Sequence, residues 1–346
     1  LIASAVSSWT VPGFRHTALI ALIAGIGFAG AALAVEPLPA NSRIPATIVA
    51  TLAAPADDPM HMPTDVALDR AGRAYVADGA KDRIVIFRPD GSFDRAVRAF
   101  GDLELKRPVG LFVDSSDQLW VADSGNHRVI IVPPDNRPPT TIDLPASESG
   151  RPFEPTDVAV TPDGRRAYIP DNDNHRLAIR HNATGTLSFL GRFGPGLGQF
   201  RWPFMVAIAP DGYVYISEAI GARAQRLSPQ DRWAGQVGRW GVELGQLYRP
   251  KGIVIDGHGR PYVSDSTMGV VQVFNPRGGV IGALTDATGR PFKFQHPMGM
   301  TFDASGRLYV VELKANRVAI VSLPPAFTIS QPAAQPTTRP GEEAPQ

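Results

Sequence analysis

The sequence predicts an all-β fold, a six-bladed β-propeller whose ring is closed by an N-terminal strand. Three observations predict it. A unit anchored on Pro63, Pro108, Pro155, Pro203, Pro250 and Pro297 recurs six times, with spacings of 45, 47, 48, 47 and 47 residues. The chain holds 34 Gly and 33 Pro, and its apolar residues fall in short Val/Ile/Leu/Tyr runs between turn residues. A period in the forties carrying three or four short strands is the mark of a propeller blade.

The units read MPTDVALDRAGRAYVADGAKDRIVIF from Met62, RPVGLFVDSSDQLWVADSGNHRVIIV from Arg107 and EPTDVAVTPDGRRAYIPDNDNHRLAI from Glu154. They continue as WPFMVAIAPDGYVYISEAIGARAQRL from Trp202, RPKGIVIDGHGRPYVSDSTMGVVQVF from Arg249 and HPMGMTFDASGRLYVVELKANRVAIV from His296. Each predicts strand A after its proline, a tight turn on Asp or Gly, strand B ending in an acid, a short loop, then strand C. The weaker strand D is visible as SFDRAVRAF from Ser92 and TLSFLGRF from Thr186. The sixth unit has none, because the Pro-rich, polar segment after Leu323 is unsuited to a sheet. ATIVATLAA, residues 46–54, has no other partner and is expected to supply it, which removes the last open edge. The propeller is thus expected over residues 44–324, after a linker at 35–43 and before a disordered Pro-rich tail at 325–346.

Residues 18–34, ALIALIAGIGFAGAALA, are apolar and uncharged, follow Arg15 and His16, and end in small residues. That is the layout of a signal peptide over residues 1–34, so a periplasmic or secreted protein is expected. An uncleaved membrane anchor is the alternative. Without residues 1–34 the chain has 33 basic and 33 acidic residues. Such a balance gives no electrostatic case for nucleic acid, or for a membrane beyond the signal segment. There is no cysteine, hence no disulfide and no thiolate metal site.

VADSGNHRV, together with the linkers GPGLGQFRWP (194–203) and GVELGQLYRP (241–250), resembles the NHL repeat, and the resemblance runs through all six units. It implies a propeller that binds a partner on its upper face, the face bearing the starts of strands A and the loops between strands B and C. It does not imply a reaction, since the superfold hosts many functions. An exported, monomeric binding or scaffold module for a protein, glycan or small molecule is the expectation. The alternative is a metal-dependent lyase or hydrolase at the mouth of the central channel.

Five units share an acid and an arginine five residues on: Asp78 with Arg83, Asp123 with Arg128, Asp171 with Arg176, Glu218 with Arg223, and Glu312 with Arg317. The fifth unit puts Val270 opposite Asp265. Recurrence in five blades argues for a blade-building ion pair. The competing reading has Arg83, Arg128, Arg176, Arg223 and Arg317, with Lys251, meeting an anionic ligand or acidic partner. The first ring of strand A positions is Thr64, Val109, Thr156, Phe204, Lys251 and Met298, and the next is Asp65, Gly110, Asp157, Met205, Gly252 and Gly299. PTDVAL is similar to the first-strand motif of the peptidyl-hydroxyglycine amidating lyases, whose zinc-binding histidines follow the proline. Histidine is absent from all six of those positions here, so that zinc site is not expected. Nor does a glutamate open any strand A, so the likeness to gluconolactonase propellers rests on architecture. Asp65 and Asp157 could hold Ca²⁺, or could accept backbone N–H bonds at the start of their strands. His61, Met62, His296 and Met298 could form a copper site, or the methionines could fill gaps around the channel.

Overall fold

Each blade is a four-stranded antiparallel sheet, and the computed structural model places six of them in order along residues 36–135 and 137–327, the residues it describes. Blade one is built from Asp65–Leu68, Ala74–Asp78, Arg83–Phe87 and Phe93–Val97, and blade two from Pro108–Val113, Leu119–Asp123, Arg128–Val132 and Thr140–Asp143. Blade three has Ala159–Val160, Arg166–Asp171, Arg176–His181 and Leu187–Leu190; blade four has Pro203–Ile208, Val214–Glu218, Arg223–Leu227 and Trp233–Val237. Blade five follows with Pro250–Ile255, Pro261–Asp265, Val270–Phe274 and Val280–Thr285. Blade six takes Pro297–Phe302, Leu308–Glu312 and Arg317–Ser322 from its own repeat and Thr47–Leu52 from the N-terminal side, as its register, Thr47 opposite Ser322 and Leu52 opposite Val318, shows.

Strand B has both faces covered by neighbouring blades: in blades two, four, five and six all five of its residues are buried, and in blade one all but the half-buried Tyr75. This explains why it reads as an unbroken apolar run rather than an alternating one. The apolar core is divided among six seams. Val76, Val85 and Phe87 of blade one meet Val311 and Val318 of blade six, and Tyr168 and Ile179 of blade three meet Ile216 and Leu227 of blade four.

The structure departs from the sequence expectation at both margins of the propeller. Within the expected linker, Ala40–Ser42 form a 3-10 turn, and Arg43–Pro45 add a parallel fifth strand to the outer edge of blade five, with Ile44 opposite Leu284. Of the expected tail, Pro325–Phe327 form a 3-10 turn in which the Phe327 ring lies 4.4 Å from the Arg260 guanidinium. Apolar burial of Phe327 against blades five and six holds this start of the tail in place. The expected signal peptide and residues 328–346 of the tail lie outside the described residues. Among the described residues no helix is long and apolar enough to cross a membrane.

Candidate functional site

The loop joining strands B and C turns through one residue of left-handed backbone. Asp82, His127, His175, Ala222 and Asn316 adopt φ between 51° and 57°, and Gly269 takes 70° in blade five. That turn sets acid and arginine directly opposite each other, Asp78 with Arg83 and Glu312 with Arg317, for example. Arginine Nε donates to the acid at 2.6–2.8 Å in all five blades that have the pair. The other carboxylate oxygen accepts an N–H from the linker entering the blade: His61 to Asp78, Arg201 to Glu218 and Gln295 to Glu312. Four of the arginines also donate to carbonyls of that linker, Arg83 to Asp58 and Pro59, Arg128 to Glu104, Arg176 to Pro145, and Arg223 to Gly196 and Gln199. The pairs are therefore rivets that fix the upper loops. Blade five manages without one because three backbone N–H groups, of Tyr248, Arg249 and Met268, converge on Asp265.

Inside this frame the first ring brings Lys251 of blade five over Phe204 of blade four, with the ammonium 3.7 Å from the ring centroid. Burial lowers the Lys251 pKa to about 8, helped by the like charge of Arg249 and opposed by Glu154. Glu154, just before the Pro155 that opens blade three, is raised to about 7, first by burial and then by Asp173, although Arg107 pairs with it at 2.7 Å. Sequence reasoning singled out Lys251 but neither Phe204 nor Glu154. The signal was present for Phe204, which occupies the same repeat position one blade earlier.

In the second ring Asp65 and Asp157 are both buried. Asp65 accepts the Leu111 N–H of blade two at 2.7 Å and Asp157 the Val206 N–H of blade four at 2.8 Å, so each carboxylate ties its own blade to the next. Glycines make room for them: a Cβ on Gly299 would lie 1.9 Å from Asp65 Oδ1, and one on Gly110 would lie 2.6 Å from Asp157 Oδ1. Burial raises Asp65 to about 7, and burial with the charge of Asp65 raises Asp157 well above the ordinary aspartate range. A carboxylic acid whose folded pKa is raised costs stability as pH climbs from the unfolded value, about 4, towards the folded one, since only the unfolded chain gains by ionising. Asp157→Asn is therefore expected to stabilise the fold increasingly as pH rises above about 4, as denaturant titrations at several pH values would measure. A calcium ion held by the pair would reverse the sign, and the variant would be weaker at neutral pH.

The remaining candidates separate. Met298 is buried with Met60 in the seam between blades six and one, Met62 is 47% exposed, and His61 is exposed. His296 is half-buried, and its pKa is lowered by burial and by Lys314. Among the described residues no group of three or more His, Cys, Asp or Glu is placed to hold a metal ion.

Comparison with known proteins agrees with this architecture. Residues 105–131 match the family model of the NHL repeat. No curated protein matches the sequence. An auxiliary nutrient binding protein from Bacteroides thetaiotaomicron is 13% identical over 82% of this chain and 77% of its own, with a TM-score of 0.60. A gluconolactonase from Xanthomonas campestris is 17% identical over 84% of this chain and 98% of its own, with a TM-score of 0.58. A catalytically inactive virginiamycin B lyase from Staphylococcus aureus, with quinupristin, is 14% identical over 81% and 88%, with a TM-score of 0.56. At these identities the likeness establishes the fold.

Proposed function

We propose, taking as premise that this chain is a six-bladed propeller of NHL-type repeats, that it is an exported, monomeric binding module receiving an anionic group at the upper mouth of its channel. The observation that carries this reading is Lys251: a half-buried ammonium at the start of strand A, resting on the Phe204 ring with Arg249 beside it. A desolvated cation favours a ligand anion, because the anion restores the charge stabilisation that burial removed. The apolar run at residues 18–34 supports export, and the even charge balance argues for a protein, glycan or small molecule rather than nucleic acid. The test is retention of compounds from arrays of glycans, peptides and small acids by the wild-type chain and by Lys251→Gln. Ligands carrying carboxylate, phosphate or sulfate are expected to lose about tenfold in affinity with the variant. Ligands bound equally by both forms would refute the reading.

A second reading, a lyase or hydrolase dependent on a divalent cation such as calcium, is favoured by one feature. Glu154 near 7, Lys251 near 8 and the Asp65–Asp157 pair collect perturbed acids and a base around one mouth. Against it, each aspartate already spends an oxygen on a backbone N–H, while Ca²⁺ takes about six to eight oxygens. Stoichiometric metal in the chelator-free protein, with a melting temperature that falls on chelation, would favour this reading over the first.

A further inference from the structure

Adjacent blades splay apart towards the outside of the ring, and at two seams a tyrosine of strand B reaches across the widening gap. In blade three the Tyr168 hydroxyl donates to Asp231 at 2.7 Å, and in blade four the Tyr215 hydroxyl donates to Pro276 O at 3.4 Å. Both acceptors lie in the turn between strands C and D of the following blade. Arginines reinforce the closure, Arg166 reaching Asp231 and Pro229, and Arg226 reaching Pro276.

The seam between blades one and two has no such tyrosine bridge among the described residues. Its tyrosine, Tyr75, donates at 3.2 Å to Asp69 of its own blade. On the facing side, seven residues separate strands C and D of blade two, where blades one, three, four and five have five. Prolines 133, 134, 138 and 139 of that segment form one wall of a cleft of about 900 Å³ that opens to solvent. That volume is at the upper end of the roughly 300–1,000 Å³ range of small-molecule sites. The floor is apolar, with Ile86 and Val97 of blade one, Phe100 of a short hairpin (Ala99–Phe100 with Leu103–Glu104) that joins the two blades, and Leu119 and Val132 of blade two.

Charge is gathered around Tyr75. The guanidiniums of Arg73 and Arg95 both act on its hydroxyl, and each is engaged in its own ion pair through a single nitrogen: Arg73 Nε with Asp69 and Arg95 Nη1 with Asp94. Of the three rim acids, Asp117 accepts the Arg70 N–H and Asp135 pairs with Arg137, while Asp102 forms no ion pair among the described residues. A carboxylate entering beside Tyr75, whose own proton is held by Asp69, would meet two guanidiniums with donors to spare, an arrangement suited to forked recognition.

We propose that the cleft between blades one and two binds an amphiphilic organic acid, its flat apolar body on the Ile86–Phe100–Leu119 floor and its carboxylate between Arg73, Arg95 and Tyr75. The site is separate from the channel mouth and does not depend on the function assigned there.

The test uses 2-naphthoate and its neutral analogue 2-naphthylmethanol in calorimetric titration of the full chain. Naphthoate is expected to bind saturably at one per chain, and at least tenfold more tightly than the alcohol. Arg95→Gln, at an exposed position, should keep the melting temperature, weaken naphthoate about tenfold and leave the alcohol unchanged. Val97→Trp should fill the cleft and abolish binding of both. Absence of saturable binding at millimolar naphthoate, equal affinity for acid and alcohol, or wild-type binding by both variants would each overturn the proposal.

Discussion

Arg83→Ala is expected to destabilise the propeller by about 3–5 kcal/mol, the usual result of leaving a buried charge without its partner. The Arg83 side chain is 2% exposed and Asp78 is fully buried, so the carboxylate left behind is poorly solvated. Removal also strips a donor from the carbonyls of Asp58 and Pro59, which hold the linker entering blade one. The same rivet in other blades provides an internal scale. Side-chain exposure rises through Arg223 at 9%, Arg176 at 14%, Arg128 at 19% and Arg317 at 35%. Screening grows in that order, so the cost of truncation to Ala should fall in the same order, to about 1 kcal/mol at Arg317. Urea denaturation of the five variants tests the ranking. An Arg317 variant as damaged as the Arg83 variant would mean that burial does not govern these pairs.

Gly252→Ala is expected to cost about 3 kcal/mol, at the upper end of overpacking effects. A Cβ there would lie 2.1 Å from the Met298 carbonyl oxygen and 2.8 Å from Ser264 Oγ. The carbonyl belongs to the innermost strand of the next blade and cannot move without spreading the seam. Ser264 is part of the same contact, since its hydroxyl accepts the Gly252 N–H at 2.8 Å and donates to Met298 O at 2.7 Å. Ser264→Ala removes those bonds without adding volume and should cost only about 1 kcal/mol. Equal unfolding midpoints for Gly252→Ala and the wild type would show that the blades have slack at the axis.

What could be read from the sequence follows the range of the interaction involved. The six blades were legible because strand, turn and rivet repeat at a fixed step, and the closing role of residues 46–54 because no other strand lacked a partner. The parallel strand at Arg43–Pro45 was not, since three residues carry no periodicity of their own. Asp65 and Asp157 were visible as channel residues, and the N–H groups of Val66 and Val158 on their own strands were the natural donors to expect. That Leu111 and Val206 of neighbouring blades also donate depends on how the blades pack, which spacing does not encode. Val270 marked a break in the rivet, but the three amides that replace the arginine come from backbone course alone. The proximity of Glu154 to Lys251, two blades apart, is likewise a product of ring closure.

The N-terminal segment has a kinetic meaning as well as a structural one. Residues 43–45 lie on the edge of blade five and residues 47–52 complete blade six, so this short piece of chain bridges two blades contributed by the far end of the sequence. It is synthesised before the rest of the propeller, yet its partners Val280–Thr285 and Arg317–Ser322 emerge only after blades one to four. Contacts between such distant residues require the longest loop in the molecule to close, the slowest kind of step in folding. Until that step, the Arg317–Ser322 strand presents an unpaired edge open to pairing with another chain. Refolding should therefore end in one slow phase of ring closure, and the yield of native protein should fall with concentration during that interval.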